Sequence, residues 1–95
     1  NGQAQGIPVK YSLSQNYPNP FNPETKISFN LPKSGPVSLK VYNLIGQEMV
    51  TIVAEIKNAG TYTYDFNGYN LSSGMYFYTL QTTDFKDTKK MTLVK

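Results

Sequence analysis

Apolar and polar residues alternate along most of this chain, and that alternation constrains its fold more than any other feature. The clearest run places Ile27, Phe29 and Leu31 at every second position, with polar residues between them. Successive side chains of a strand point to opposite faces, so a period of two predicts strands with one buried face. No ten-residue segment shows a convincing helical period. The predicted strands cover residues 11–13, 26–31, 37–42, 49–56, 61–66, 75–82 and 90–94.

These strands recur at roughly 8–12 residues with turn residues between them, which predicts an all-β fold. An antiparallel β-sandwich of about seven strands is the consistent architecture, because two half-apolar sheets can bury their faces against each other. Residues 75–82 are apolar on both faces and are predicted to form a central strand. At 95 residues the chain has the length of one domain. Residues 1–10 begin with small and polar side chains and are predicted to be a linker, and residues 11–95 are predicted to form the domain.

Three of the six prolines lie in one short stretch that follows Tyr17. Proline fixes its φ angle, lacks a backbone N–H and pushes the preceding residue toward extended conformations. The stretch can therefore be neither a helix nor a central strand. We expect a stiff, extended turn in which Phe21 plugs one end of the core. The residues of this structural motif are Pro18, Asn19, Pro20, Phe21, Asn22 and Pro23.

The composition argues against catalysis. Without His or Cys, the chain lacks the usual zinc ligands and the common nucleophile–base pairs. Six carboxylates are present, but nothing in the sequence pairs two of them across a cleft, as a glycosidase requires. Asp84 and Asp87 flank a predicted hairpin turn and have oxygens for calcium, although the favoured interpretation is that they are turn residues in water. We therefore expect no enzyme, no cofactor and no metal site.

All nine positively charged side chains are lysines. Arginine, the residue best suited to bidentate contacts with phosphates and bases, is absent, which argues against nucleic acid as a partner. No apolar run approaches the ~18–20 residues of a membrane helix. No signal peptide begins at Asn1. If the protein is exported, we expect this chain to be an internal or C-terminal piece of a longer precursor.

Several motifs together resemble the C-terminal sorting domains (type A) of the bacterial type IX secretion system. These domains are in turn similar to immunoglobulin-like repeats of the flagellar-hook-capping type. The resemblance covers about residues 11–95, with its elements in order, and it implies an immunoglobulin-like sandwich. The motifs are residues 16–25 (NYPNPFNPET), 27–32 (ISFNLP), 41–48 (VYNLIGQE), 59–62 (AGTY), 71–78 (LSSGMYFY) and 89–95 (KKMTLVK).

The resemblance also implies a function. The domain would be the last one of a larger secreted protein, and its partners would be the N-terminal cargo domain, the outer-membrane type IX translocon and a surface sortase. The precursor would pass through the periplasm, and the sortase would cleave in or before residues 1–10 and attach the cargo to the cell surface or release it. The matching signal positions are Gly74, Tyr76, Lys89, Lys90 and Lys95.

Two features of the residues fit that role. Residues 91–94, flanked by lysines, are a candidate for recognition by strand addition, although lysines on an edge strand also protect it from pairing. Gly74 stands just before a predicted strand, where a positive φ or a close backbone approach favours glycine.

Two other functions stay open on the sequence alone: a carbohydrate-binding module, and an inert spacer of a secreted polysaccharide-degrading enzyme. Sugars stack on aromatic rings, but packing within strands and the core is the simpler explanation for tyrosines in an all-β chain. We expect the isolated domain to be a monomer or a weak dimer, because long sheet edges can pair. The candidate sugar-stacking residues are Tyr62, Tyr64, Tyr69, Tyr76 and Tyr78.

Overall fold

The computed structural model describes residues 7–95, so the first six residues of the predicted linker lie outside the described residues. The predicted strands are all found, and their ends lie within two residues of the prediction except at the start of the last strand. No helix long and apolar enough to cross a membrane occurs within residues 7–95. The strands are β1 (Ser12–Leu13), β2 (Glu24–Leu31), β3 (Gly35–Tyr42), β4 (Glu48–Lys57), β5 (Gly60–Asn67), β6 (Gly74–Thr82) and β7 (Lys86–Leu93).

The strands form two antiparallel sheets. The three-stranded sheet has the order β1-β2-β5, and the four-stranded sheet has the order β4-β3-β6-β7. Buried side chains from both sheets belong to one apolar core. The predicted all-β fold, an immunoglobulin-like antiparallel β-sandwich of seven strands, is therefore confirmed.

Aromatic side chains form a large part of the core. The ring centre of Phe29 in β2 lies 5.6 Å from that of Tyr62 and 5.9 Å from that of Tyr64, both in β5. Tyr78 and Leu80 of β6 are fully buried. Because β6 lies between β3 and β7, the prediction of a central strand at residues 75–82 is confirmed.

Strand β4 alternates poorly in the sequence because its pairing with β3 skips two residues, Ile52 and Met49. Each skipped residue is a bulge, which changes the face on which the neighbouring side chains lie. β4 is also an edge strand of its sheet. Bulges on an edge hinder pairing with another chain, so this irregularity limits association through β4.

Strand β7 begins at Lys86, earlier than the predicted residue 90. The chain turns just before it, where the Thr82 N–H donates to the Phe85 carbonyl at 2.8 Å. The first half of β7 is exposed or half-buried, so it lacks the apolar alternation from which the strand was predicted. It is a strand because its backbone pairs with β6 along its whole length.

A buried polar network fixes the segment that leads into β2. The Tyr78 hydroxyl donates to the Ser14 carbonyl and accepts from the Asn16 N–H, both at 2.7 Å. Asn16 Nδ2 donates to the Thr25 hydroxyl at 3.1 Å and to the Pro18 carbonyl at 3.2 Å. Asn16 and Thr25 are each 2% exposed, so these bonds satisfy groups that burial has removed from water. Burial raises the pKa of Tyr78 to about 12.

Gly74, the first residue of β6, has a φ of +147°, which confirms the expected positive φ. A Cβ atom at Gly74 would meet no other atom within 4 Å. We therefore expect Gly74→Ala to lower the free energy of unfolding by about 1–3 kcal/mol through backbone strain alone. Gly35→Ala is the matched control, because Gly35 also begins a strand with equally open surroundings but without a positive φ. Denaturant titrations that give both variants the same stability would contradict this account.

The raised pKa of Tyr78 predicts a loss of stability at high pH. The unfolded chain releases the phenolic proton near pH 10, whereas the folded chain keeps it until about pH 12. The unfolded state then binds fewer protons over this interval, so the free energy of unfolding falls as the pH rises from 10 to 12.

Tyr78→Phe should remove that component of the pH dependence. At neutral pH the variant should be less stable by about 1–3 kcal/mol, because the Asn16 N–H and the Ser14 carbonyl lose their partner. Urea titrations between pH 7 and pH 12 measure both effects. The difference in the free energy of unfolding between the parent and Tyr78→Phe should become smaller above pH 10. A difference that stays constant from pH 7 to pH 12 would show that Tyr78 does not titrate as described.

Candidate recognition site

The proline-containing segment crosses one end of the sandwich and pairs with β7. The Phe21 N–H donates to the Thr92 carbonyl, and the Val94 N–H donates to the Phe21 carbonyl, both at 2.9 Å. The Phe21 side chain is 1% exposed, and its ring centre lies 6.1 Å from that of Phe66. The prediction that Phe21 plugs one end of the core is confirmed. We name this segment, residues 15–23, the strap. The peptide bond before each of its three prolines is cis.

The strap also covers the outer edge of β7. Asn19 Oδ1 accepts from the Thr92 N–H at 3.0 Å, and Gln15 Nε2 donates to the Lys90 carbonyl at 2.7 Å. With the two bonds of Phe21, these contacts occupy outward-facing backbone groups along the last part of β7. The expectation that residues 91–94 offer an accessible edge for strand addition is therefore wrong. The strap already fills the place that a partner strand would take.

The loop after β5 approaches the strap closely at Gly68. A Cβ atom at this position would lie 3.1 Å from Leu93 Cδ2 and 3.3 Å from Phe21 Cε2. Both neighbours are almost fully buried, so they have little room to move away. The absence of a side chain at Gly68 therefore allows the loop, the strap and the end of β7 to pack together.

Of the five expected signal residues, Gly74 and Tyr76 lie in β6. Gly74 is exposed and pairs with Leu93 of β7. Tyr76 is only 6% exposed, and its hydroxyl donates to the Ser72 carbonyl at 2.6 Å. The ring of Tyr76 therefore belongs to the core, two residues after Gly74 in the same strand.

The three expected signal lysines lie on or just after β7. Lys89 and Lys90 point to opposite faces because successive side chains of a strand alternate. Lys89 lies on the core side with Nζ 3.8 Å from Asp87, whereas Lys90 is exposed on the outer face of the four-stranded sheet. Lys95 Nζ donates to the Tyr69 carbonyl at 2.6 Å. The structure thus brings Gly74, Lys90 and Lys95 to the surface near one end of the sandwich, and Lys89 faces away from them.

The candidate calcium ligands Asp84 and Asp87 bind other groups. Asp84 Oδ2 lies 2.6 Å from Lys33 Nζ, and hydrogen bonding to Asp84 raises the pKa of that lysine. Asp87 Oδ1 accepts from the Thr88 N–H at 2.9 Å. In the part of the chain that the structure describes, no group of three or more carboxylates is close enough to hold a metal ion. Both side chains therefore stabilise the hairpin and its neighbourhood through local contacts.

The five candidate sugar-stacking tyrosines do not form one surface. Tyr76 and Tyr78 are buried, and Tyr62 and Tyr64 are half-buried against the core. Tyr69 alone among the five presents most of its side chain to solvent, with 71% exposed. A single ring does not make the flat aromatic platform that the carbohydrate hypothesis required.

Sequence reasoning missed the polar residues that hold the strap in place. Asn19 was predicted to shape the backbone, but its side chain also accepts a hydrogen bond from β7. Asn16 and Thr25 stand at the two ends of the motif at residues 16–25, but neither they nor Gln15 show in the sequence which groups they bind. Gln15 binds Lys90 and Asn16 binds Tyr78, each more than sixty residues away, so only the folded chain shows these contacts.

One family of known proteins matches this chain. Its description is the secretion system C-terminal sorting domain, and the match covers residues 15–94. It therefore begins with the strap and ends at Val94, the last residue that the strap binds. Comparison with curated proteins gives no significant match. Because the match spans most of the chain, the chain belongs to the family of secretion system C-terminal sorting domains, the sorting signals of type IX secretion.

Proposed function

We propose that this domain directs a larger cargo protein through the outer-membrane type IX secretion machinery, and that it does so without catalysis. The observation that carries the proposal is the family match over residues 15–94, which includes the strap and every strand from β2 to β7. The cargo is the N-terminal part of the same precursor. The domain described here is the part that the secretion machinery recognises.

The proposed route begins with transport of the precursor across the inner membrane on an ordinary N-terminal signal. The domain folds in the periplasm, and the translocon then recognises it as a folded unit. A surface sortase cleaves in or before residues 1–10, and the cargo is attached to the cell surface or released. The exposure of Ile7 (63%) and Val9 (92%) supports this, because a protease needs an accessible segment.

We infer that the recognised surface lies where β6 begins and β7 ends. Gly74, Lys90 and Lys95 contribute to it directly. Tyr76 acts from below, because its buried ring and its hydroxyl bond hold the start of β6 against the core. A surface made from two strand ends exists only in the folded protein. We therefore expect the machinery to recognise the folded domain rather than a linear peptide.

A reporter fusion tests the proposed function. The whole chain, Asn1–Lys95, is joined to the C-terminus of a reporter enzyme that carries an N-terminal export signal. In a bacterium with a type IX system, we expect most of the reporter on the cell surface or in the medium. The reporter without the domain, and the fusion in a strain without the translocon, should both stay in the periplasm. Periplasmic retention of the fusion itself in the competent strain would overturn the proposal.

The signal lysines generate a separate prediction. Replacing Lys90 and Lys95 with Ala should lower the exported fraction of the reporter roughly tenfold, because a few residues dominate most recognition surfaces. A control variant removes the same charge from lysines outside the proposed surface. Both variants should unfold at the parent temperature, since exposed ion pairs contribute little to stability. Equal export of the two variants would show that Lys90 and Lys95 are not part of the recognised surface. The test variant changes Lys90 and Lys95, and the control changes Lys33 and Lys86.

A further inference from the structure

The turn between β3 and β4 is rigidly organised by one side chain. Asn43 Oδ1 accepts from the Ile45 N–H at 3.0 Å and from the Gln47 N–H at 2.9 Å, and Asn43 Nδ2 donates to Gln47 Oε1 at 2.8 Å. The Asn43 N–H also donates to the Gln47 carbonyl at 3.0 Å. Gly46 has a φ of +87°, a conformation that favours glycine. These bonds give the turn one defined shape.

This rigid turn presents two large apolar side chains to solvent. Leu44 is 61% exposed and Ile45 is 81% exposed. The side-chain bonds of the turn come from Asn43 and Gln47, so the side chains of Leu44 and Ile45 are not needed to form it. A single exposed apolar residue is ordinary on a protein surface. Leu44 and Ile45 are adjacent, and together they form an exposed apolar knob on the turn.

More apolar surface lies at the same end of the four-stranded sheet. Met49 near the start of β4 is 42% exposed, and Met75 near the start of β6 is 36% exposed. On the outer face of the sheet, Tyr42 of β3 pairs with Phe77 of β6 just before the turn. These positions are all close to the strand ends that flank the turn. The exposed members, named the turn patch, are Leu44, Ile45, Met49 and Met75.

The charge beside the turn patch is positive. Glu48 is paired with Lys40, with 3.3 Å between Oε1 and Nζ, so these two charges offset each other. Lys90 lies beside Phe77 and has no carboxylate within 4.0 Å among residues 7–95. Lys95, near the same end, is bound to a neutral carbonyl. A complementary surface is therefore apolar at its centre and acidic at its rim.

We propose that the turn patch docks into an apolar pocket with an acidic rim on the type IX secretion machinery. The inference rests on the proposed function and deepens it, because it places a contact on a turn that lies outside the expected signal residues. The knob loses little conformational freedom on binding, since Asn43 already fixes its shape. The turn patch lies at the same end of the sheet as Gly74 and Lys90, so all of them can face one partner at the same time.

The test uses the reporter fusion with the full chain. The variant Leu44→Ser/Ile45→Ser removes the apolar knob and keeps Asn43 and Gly46. Ile56→Ser is the matched control, because Ile56 is 78% exposed on the same sheet and lies near the opposite end of β4. We expect the double variant to lower the exported fraction roughly tenfold. The control should be exported like the parent, and circular dichroism should give all three domains the same unfolding temperature.

A charge reversal tests the acidic rim. Lys90→Glu should reduce export more strongly than Lys86→Glu, because Lys86 lies on the same face of β7 but at its other end. Equal effects of the two reversals would exclude an acidic rim beside the patch.

The outcomes separate this inference from the proposed function. If the parent fusion is exported and the knob variant is exported equally well, the turn patch is not the docking surface and the sorting function stands. If the parent fusion stays in the periplasm, the sorting function itself fails. A second copy of the domain is the other molecule that could cover the patch, and sedimentation of the isolated domains tests this. If the parent domain is a dimer and the knob variant is a monomer, the patch serves self-association and the inference is overturned.

Discussion

The insertion of Phe21 into the core, with its backbone bonded to β7, is the interaction on which the end of the sandwich with Gly74 and Lys95 depends. The ring closes the space between the two sheets, and the N–H and carbonyl of the same residue bind Thr92 and Val94. Phe21 thus contributes apolar burial and two backbone hydrogen bonds at one point. Burying a Phe side chain contributes about 1.5–3 kcal/mol, a large share of the net stability of a small domain.

Segments that are far apart in the sequence meet because of this contact. The strap comes from the beginning of the domain, and it fixes the end of β7, more than seventy residues later. The loop at Gly68 packs against both, and β6 begins beside them. Three of the motifs that identify the family, residues 16–25, 71–78 and 89–95, therefore meet at one end of the folded domain. This arrangement supports recognition of a three-dimensional surface, since no continuous stretch of the chain contains it.

The closed edge of β7 also bears on how the secretion machinery can recognise such a domain. An open terminal strand would suit recognition by strand addition, but the strap occupies that edge. Side chains on the surface are then the natural contacts, and the turn at Leu44 and Ile45 offers two adjacent apolar ones that are strongly exposed. Protection of the edge has a second benefit, because it limits pairing between copies of the domain.

The sequence predicted the strands wherever burial of one face produced alternation, as in β2 and β3. It predicted the role of Phe21 because this residue is the large apolar side chain among the prolines. It missed the start of β7 because the polar residues from Lys86 onward form a strand through backbone pairing alone. It missed the closed edge for a similar reason, since the bonds of Gln15 and Asn19 to β7 depend on tertiary structure and leave no periodic signal.

Amide hydrogen exchange on the native domain tests the central claim, the pairing of the strap with β7. In the structure, the Thr92 and Val94 N–H groups are bonded only to the strap among the described residues. Both should exchange at least roughly a hundredfold more slowly than an unprotected amide, with slowing similar to that of the β6–β7 ladder. Phe21→Ala or Asn19→Ala should speed their exchange before that of β3. Exchange of the Val94 amide at the unprotected rate in the parent protein would contradict the claim.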